Sequence, residues 1–298
     1  MKYSVAIDIG GTNTRVALAD EEINIIERKQ FATDSENPDV TLGKIAEVIK
    51  SFDCDIVGAG MSCPGPLDLI NGKILTPPNL KGQWHNLKVA EELSKLINKP
   101  VYLENDANLA GLAEAVVGEG KDYNYVQFFT VSTGLGAGFV INKEIYHGAH
   151  GFGNEVANCV MMKDGPSHGS IIPGGIEAIS SGTAITSRAV KAGLDVKHAG
   201  EVNDLAKAGN EVAKQIMDDA KEYLANFIGV VYGYADPEIV ILGGSVALKI
   251  DGFVEEVEAL AKERVYEIMK PYVKVRKSTL NEDSGLIGAA YLAFSKAE

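Results

Sequence analysis

Hydrophobic residues along this chain follow two alternating rhythms. Short apolar runs suit strands: Val5-Ala6-Ile7, Ile56 to Met61, Val101-Tyr102-Leu103 and Ile239-Val240-Ile241-Leu242. Between them, apolar residues recur at helical spacing. Residues 42–50, 88–97 and 210–234 read as helices. The last carries Val212, Ile216, Ala220, Leu224, Phe227 and Val231 on one face until Asp236-Pro237 stops it. Asn108 to Val117 is a further helix, with Leu109, Leu112, Ala113 and Val116 on its buried face. Val5-Ala6-Ile7 and Val16-Ala17-Leu18 flank a Gly-rich turn and predict a hairpin, while Ser62-Cys63-Pro64-Gly65-Pro66 breaks the chain after the strand at 56–61. This alternation predicts an α/β fold.

The pattern also repeats. A shift of 122 residues lays Ile7-Asp8-Ile9-Gly10-Gly11-Thr12 on Phe129-Thr130-Val131-Ser132-Thr133-Gly134. Without a gap, Val16-Ala17-Leu18 then meets Gly138-Phe139-Val140, and Glu22-Ile23 meets Glu144-Ile145. Each copy reads strand, glycine turn, strand, tight turn, strand, which points to duplication. Two similar halves with facing glycine turns predict a cleft between domains, a usual place for a ligand.

Composition narrows the function. With 298 residues, 46% of them hydrophobic, the chain can build one large domain or two smaller ones. A formal net charge of -13 repels nucleic acid and anionic lipid. It still permits an anionic cofactor, because backbone amides in glycine turns hold phosphate locally. Cys54, Cys63 and Cys159 are odd in number and widely spaced, so they form neither a disulfide framework nor a metal set. No apolar leader precedes the first strand, and the longest apolar stretch, Phe227 to Ala235, is far short of the ~18 residues a membrane span needs. The expectation is a soluble cytoplasmic protein.

Four segments carry candidate chemistry. Asp8-Ile9-Gly10-Gly11-Thr12-Asn13-Thr14 offers backbone N–H groups and the Thr12 and Thr14 hydroxyls to phosphate oxygens, with Asp8 placed to hold a Mg²⁺-bound water. It also reads as an ordinary hairpin turn. Ser132-Thr133-Gly134-Leu135-Gly136-Ala137-Gly138 is a second glycine turn, weak alone and stronger at an equivalent place in a duplicated fold. In Glu104-Asn105-Asp106-Ala107-Asn108, Asp106 suits either a general base or a helix N-cap. Gly243-Gly244-Ser245 is either a plain strand–helix turn or a close approach to a nucleotide.

Taken in order and spacing, these segments resemble the ROK family of sugar kinases and repressors, within the superfamily of actin and hexokinase. Further marks are Pro64-Gly65-Pro66-Leu67-Asp68, Pro78-Asn79-Leu80 followed by Trp84, Gly153-Asn154-Glu155, Gly174-Gly175-Ile176-Glu177 and Ser181-Gly182-Thr183. The resemblance covers nearly the whole chain. It implies an actin-like, ribonuclease H-like α/β fold of two duplicated domains with an interdomain cleft. Residues 1–107 plus 284–298 would form a smaller N-terminal domain, and 108–283 a larger C-terminal one. It implies that Asp106 is the catalytic base, that Asn105, Glu155 and Glu177 bind sugar hydroxyls, and that Gly65 and Asn79 form the pocket wall. Asp8, Gly10, Gly11, Thr12, Asn13, Thr133, Gly134 and Gly136 would serve the phosphates and Mg²⁺, and Gly243 and Gly244 the adenosine. The implied activity is transfer of the ATP γ-phosphoryl group to a hexose, at the C6 hydroxyl, by a protein that is often a homodimer in this family.

Two departures matter. The family usually carries a zinc site of one His and three Cys. Here Asn158 stands at the histidine position, which also touches the sugar, and His168, Ser170 and Gly175 stand at the cysteine positions. One soft ligand cannot close a structural zinc site, so no zinc is expected, and the segment 159–175 should be comparatively mobile. Family repressors carry a helix-turn-helix domain before the first motif, which here begins at residue 8. Two rival readings are a non-catalytic sugar or nucleotide sensor and an actin- or chaperone-like ATPase. Retention of Asp106 weighs against the first, and the group Asn105, Asp106, Glu155 and Glu177 against the second.

Overall fold

Both rhythms of the sequence are realised in a computed structural model of the chain, which describes residues 2–77, 79–280 and 283–297. Met1, Pro78 of the expected Pro78-Asn79-Leu80 motif, Asn281, Glu282 and Glu298 lie outside the described residues. Contacts divide the chain into two units. One comprises Met1–Ala113, His147–Phe152 and Glu282–Glu298; the other comprises Glu114–Tyr146 and Gly153–Asn281.

The first unit is built on a five-stranded sheet. Its strands are β1 (Tyr3–Ile9), β2 (Asn13–Asp20), β3 (Ile25–Ala32), β4 (Ile56–Cys63) and β7 (Val101–Asn105), in the order β3-β2-β1-β4-β7. β1, β2 and β3 are antiparallel neighbours, whereas β4 lies parallel to β1 and β7 parallel to β4. Val5, Ile7, Val16, Ala59 and Met61 are wholly buried, as continuous apolar runs require when both faces of a sheet are covered. Helix α1 (Pro38–Ser51) begins with Asn37 accepting the Asp39 N–H and Pro38 in its first turn, signals that extend it upstream of the periodic stretch 42–50. The small ribbon of β5 (Leu67–Asp68) and β6 (Lys73–Ile74), and α2 (Val89–Ile97), complete this stretch.

The second unit repeats the plan. β8 (Tyr125–Val131), β9 (Leu135–Ile141), β10 (Glu144–Ile145), β11 (Ile239–Gly243) and β12 (Val275–Lys277) pair in the order β10-β9-β8-β11-β12. Again the first three are antiparallel and the last two join in parallel. Shifting β1 by 122 residues lands on β8 end for end, so the repeat read from the sequence is a structural duplication. Around this sheet lie α4 (Ile176–Ser180), α5 (Gly182–Lys191), α6 (Ala199–Lys207), α7 (Glu211–Ala235), α8 (Gly244–Lys249) and α9 (Phe253–Lys262). Ile216, Ala220, Leu224 and Phe227 of α7 are buried as the spacing predicts, but Val212 is exposed while Ala213 beside it is buried, so the buried face of the first turn runs through Ala213.

Helix α3 (Asp106–Val116) follows β7 directly and carries the chain across the boundary between the units. Leu109, Leu112 and Ala113 are buried. The last helix, α10 (Ser284–Ser295), returns to the first unit and packs against β1 and β4. No helix among the described residues is long and apolar enough to cross a membrane.

Candidate active site

Parallel pairing brings three strand ends of the first unit side by side. Asp8 on β1 is level with Ser62 on β4, and Cys63 is level with Asn105 on β7. Candidate residues far apart in sequence thus gather along one sheet edge, where loops leave the carboxyl ends of parallel strands and ligands commonly bind. Gly65 follows two residues after β4, and Asn79 lies against the first glycine turn. A Cβ on Gly11 would stand 2.6 Å from the Asn79 Cβ, so only glycine allows this approach. The Gly10 N–H donates to the Asn13 carbonyl at 2.9 Å, closing the turn, and leaves Thr12 and Asn13 exposed at its tip. Thr14 departs from the expectation. It is buried, and its hydroxyl pairs with that of Thr33 at 2.9 Å, because the next residue of a strand points to the opposite face.

Asp8 has a partner that the sequence reading missed. Arg15 donates from Nε at 3.0 Å and from Nη2 at 2.7 Å to Asp8 Oδ2. The two are directly cross-strand in the β1–β2 hairpin, so counting outward from the turn would have paired them. No group of three or more His, Cys, Asp or Glu among the described residues is placed to hold a metal. Asp8 is partly exposed, and its bonds to Arg15 both fall on Oδ2.

At the end of β7 the geometry separates two neighbours that the sequence leaves interchangeable. Asn105 is the helix cap: its Oδ1 accepts the N–H of Ala107 at 2.9 Å and of Asn108 at 3.3 Å. Asp106 occupies the first turn of α3 and takes the adjacent Ala107 N–H, at 2.8 Å. Its carboxyl reaches solvent, yet protein crowds around it and thins the water that would solvate a charge. That desolvation, with the negative Asp8 nearby, pushes its pKa above the ordinary carboxylate value, and the Ala107 N–H opposes the shift only in part.

The second unit holds the remaining candidates. Glu177, in the first turn of α4, turns its Oε2 to the Leu135 N–H at 2.8 Å and braces the second glycine turn. A Cβ on Gly134 would come within 2.7 Å of that oxygen, so the glycine makes room for the carboxylate. Gly136 pairs with Thr130 on one side, and Gly243 pairs with Thr130 on the other. Glu155 is exposed in the segment after β10. Asn158 does not stand idle in its loop: Oδ1 accepts the Ile172 N–H at 2.9 Å. Met161 N–H to Gly174 O and Gly174 N–H to Pro166 O, both 2.8 Å, hold the same segment. Backbone and amide hydrogen bonds thus organise 158–175.

The second unit also contains a cavity of about 900 Å³. Ser132 and Thr133 of the glycine turn line it on one side, Thr183 and Thr186 of α5 on another, and Ser245 and Val246 directly after Gly243-Gly244 on a third. Thr183 Oγ1 donates to the Thr133 carbonyl at 2.6 Å, and the Gly182 N–H to the Ser132 carbonyl at 2.7 Å, so α5 is locked to the turn. The walls supplied by α5 and α6, including Lys191 and Asn203, carried no sequence signal beyond the Ser181-Gly182-Thr183 mark.

The profile of the ROK family matches residues 4–296 of this chain. The chain belongs to the ROK family. The glucokinase of Thermotoga maritima is 31% identical to this ROK chain, over 96% of it and 95% of the glucokinase. The N-acetylmannosamine kinase of Salmonella typhi is 30% identical, over 97% of this chain and 98% of its own. Among solved structures, the ROK hexokinase from Thermus thermophilus superposes with a TM-score of 0.89 and 28% identity, over 99% of both chains. The ROK chain thus has the actin-like sugar kinase fold, and its relatives are sugar kinases with different named sugars.

Proposed function

We propose that this protein transfers the γ-phosphoryl group of ATP to the C6 hydroxyl of a hexose or hexose derivative, with Asp106 as general base. The observation that carries the reading is the division of labour at α3. Asn105 supplies the cap, so Asp106 has no capping duty to explain it, and its carboxyl sits beside Asp8 with a raised pKa. A base whose pKa is lifted toward the working pH accepts a proton more readily.

In the step, the hydroxyl oxygen bonds to the γ-phosphorus while the bond to the β,γ-bridging oxygen breaks and ADP leaves. The hydroxyl proton passes to Asp106. In the first unit Asn105 orients the sugar through directed hydrogen bonds, with Gly65 and Asn79 beside it, and in the second unit Glu155, Asn158 and Glu177 keep the sugar-binding roles that the family resemblance gives them. With the Gly10 N–H taken by Asn13, the phosphate donors of the first unit are the backbone N–H groups at Gly11-Thr12 and those of the second are at Thr133-Gly134, and the cavity beside Ser245 receives the adenosine. Asp8 would hold Mg²⁺ through water, and the ion, when bound, offsets charge on the β- and γ-phosphates. The reading requires no zinc, and it places the protein in the cytoplasm as a homodimer.

A coupled assay with ATP, Mg²⁺ and a panel of glucose, mannose, fructose, N-acetylmannosamine and N-acetylglucosamine tests it. Saturable ADP formation with one of these sugars supports it. Sugar binding without turnover would point to a sensor instead.

A further inference from the structure

Glu104 precedes the proposed base by two residues, and only 2% of its surface is exposed. Its carboxylate is fully engaged. Oε1 accepts the Asn105 N–H at 2.8 Å and the Asn108 Nδ2 at 2.9 Å. Oε2 meets His147 Nε2 at 2.6 Å. His147 opens the short segment His147–Phe152, by which the chain returns to the first unit between two stretches of the second. Asn108 also has a telling defect. Its Oδ1 is the one buried side-chain polar atom without a partner among the described residues. A buried orphan acceptor is costly, and an apolar side chain would avoid it. Asn108 serves stability poorly, and what it does accomplish is to hold Glu104.

We propose that Glu104, clamped by His147 and Asn108, is a positioning residue that fixes Asn105 and Asp106 for proton transfer. The inference rests on the reading of Asp106 as the base. Its physical content is a chain of short contacts. His147 orients the Glu104 carboxylate, which pins the Asn105 backbone. Asn105 Oδ1 in turn pins the first turn of α3, where Asp106 stands. The charged groups acting on His147 are Glu104 of β7 and Lys296 after α10. The Glu104 hydrogen bond dominates and raises the histidine pKa, so the imidazolium is favoured against burial and the lysine. A misplacement of about 1 Å at a reacting group can cost on the order of a hundredfold in rate.

The test compares Asp106→Asn, His147→Ala, His147→Gln and Glu104→Gln with the parent. Each is assayed with ATP, Mg²⁺ and whichever panel sugar the parent turns over, with melting temperatures recorded alongside. Side chains at 147 are 38% exposed, so those variants should fold even if Glu104→Gln does not. We expect His147→Ala to lose roughly tenfold in kcat, with the KM for ATP unchanged. His147→Gln, which keeps a neutral N–H donor, should recover most of the loss. A purely structural role would lower the melting temperature in both and leave kcat per folded molecule alone, which overturns the inference. So would His147→Ala and Glu104→Gln within twofold of the parent while Asp106→Asn is inactive, and in that case Asp106 keeps its role. Normal turnover by Asp106→Asn would instead remove the reading on which the inference stands.

Discussion

Replacing Asp106 by Asn separates catalysis from structure with little ambiguity. Asn105 holds the cap bonds to Ala107 and Asn108, so the ~1 kcal/mol typical of an N-cap is not lost at position 106. The amide oxygen of the new Asn can still accept the Ala107 N–H. Losing a negative charge from the first turn of α3 forfeits about 0.3–1 kcal/mol of helix-dipole interaction, but it also relieves repulsion with Asp8. The two oppose one another, so the net change should stay near the ±0.5 kcal/mol of an ordinary surface substitution. For units of this size that is a melting shift of roughly 1–2 °C. Loss of the base should lower kcat by about 10²–10⁴, equivalent to roughly 3–5 kcal/mol of barrier. Steady-state kinetics, a thermal melt and sugar binding by calorimetry measure these on one preparation, with Asn105→Ala as the cap control expected to lose ~1 kcal/mol of stability. A kcat within a few-fold of the parent, or a melting loss as large as that of Asn105→Ala, would refute the reasoning.

Other consequences can be checked as directly. Glu177→Ala leaves the buried Leu135 N–H without its acceptor, so about 1–3 kcal/mol of stability should go, and the sugar KM should rise far more than that for ATP. A change confined to the ATP KM would contradict the placement. Because Asp106 must be ionised to act and its pKa is raised, the acid limb of kcat/KM should lie above the ordinary carboxylate value of 3.8, and a limb at or below that value counts against the base. The His147 pKa is raised above its ordinary 6.5, so its contribution to stability is complete below that value and is lost as pH rises through the higher folded value. His147→Gln should flatten that part of a melting-temperature profile. Asn158→Ala should cost about 0.5–1.5 kcal/mol and speed hydrogen exchange at Ile172, whereas a zinc chelator should change neither melting nor turnover of the parent. Near-stoichiometric zinc by elemental analysis, with activity lost on its removal, would reverse that expectation.

Local order was legible in the sequence because local physics produces it. Short apolar runs gave away β1, β4, β7 and β11, and helical spacing gave away α2, α3 and α7, since side-chain periods of two and 3.6 follow from the backbone itself. The 122-residue repeat carried the duplication, because the same burial pattern must recur wherever the same sheet is built twice. Motif order carried the family. What the sequence left open were choices between near-equivalent neighbours and between distant partners. Asn105 and Asp106 can each cap a helix, and only the path of β7 into α3 assigns the cap to Asn105 and frees Asp106. The Asp8–Arg15 pair depends on hairpin register, and the bond from Glu104 to His147 spans 43 positions. The cavity walls from α5 and α6 come from residues whose spacing reports only that they lie on helices. A residue's period is decided by its neighbours along the chain. Its partner is decided by which strand ends and loops the fold places within hydrogen-bonding reach, and that is a property of the tertiary structure alone.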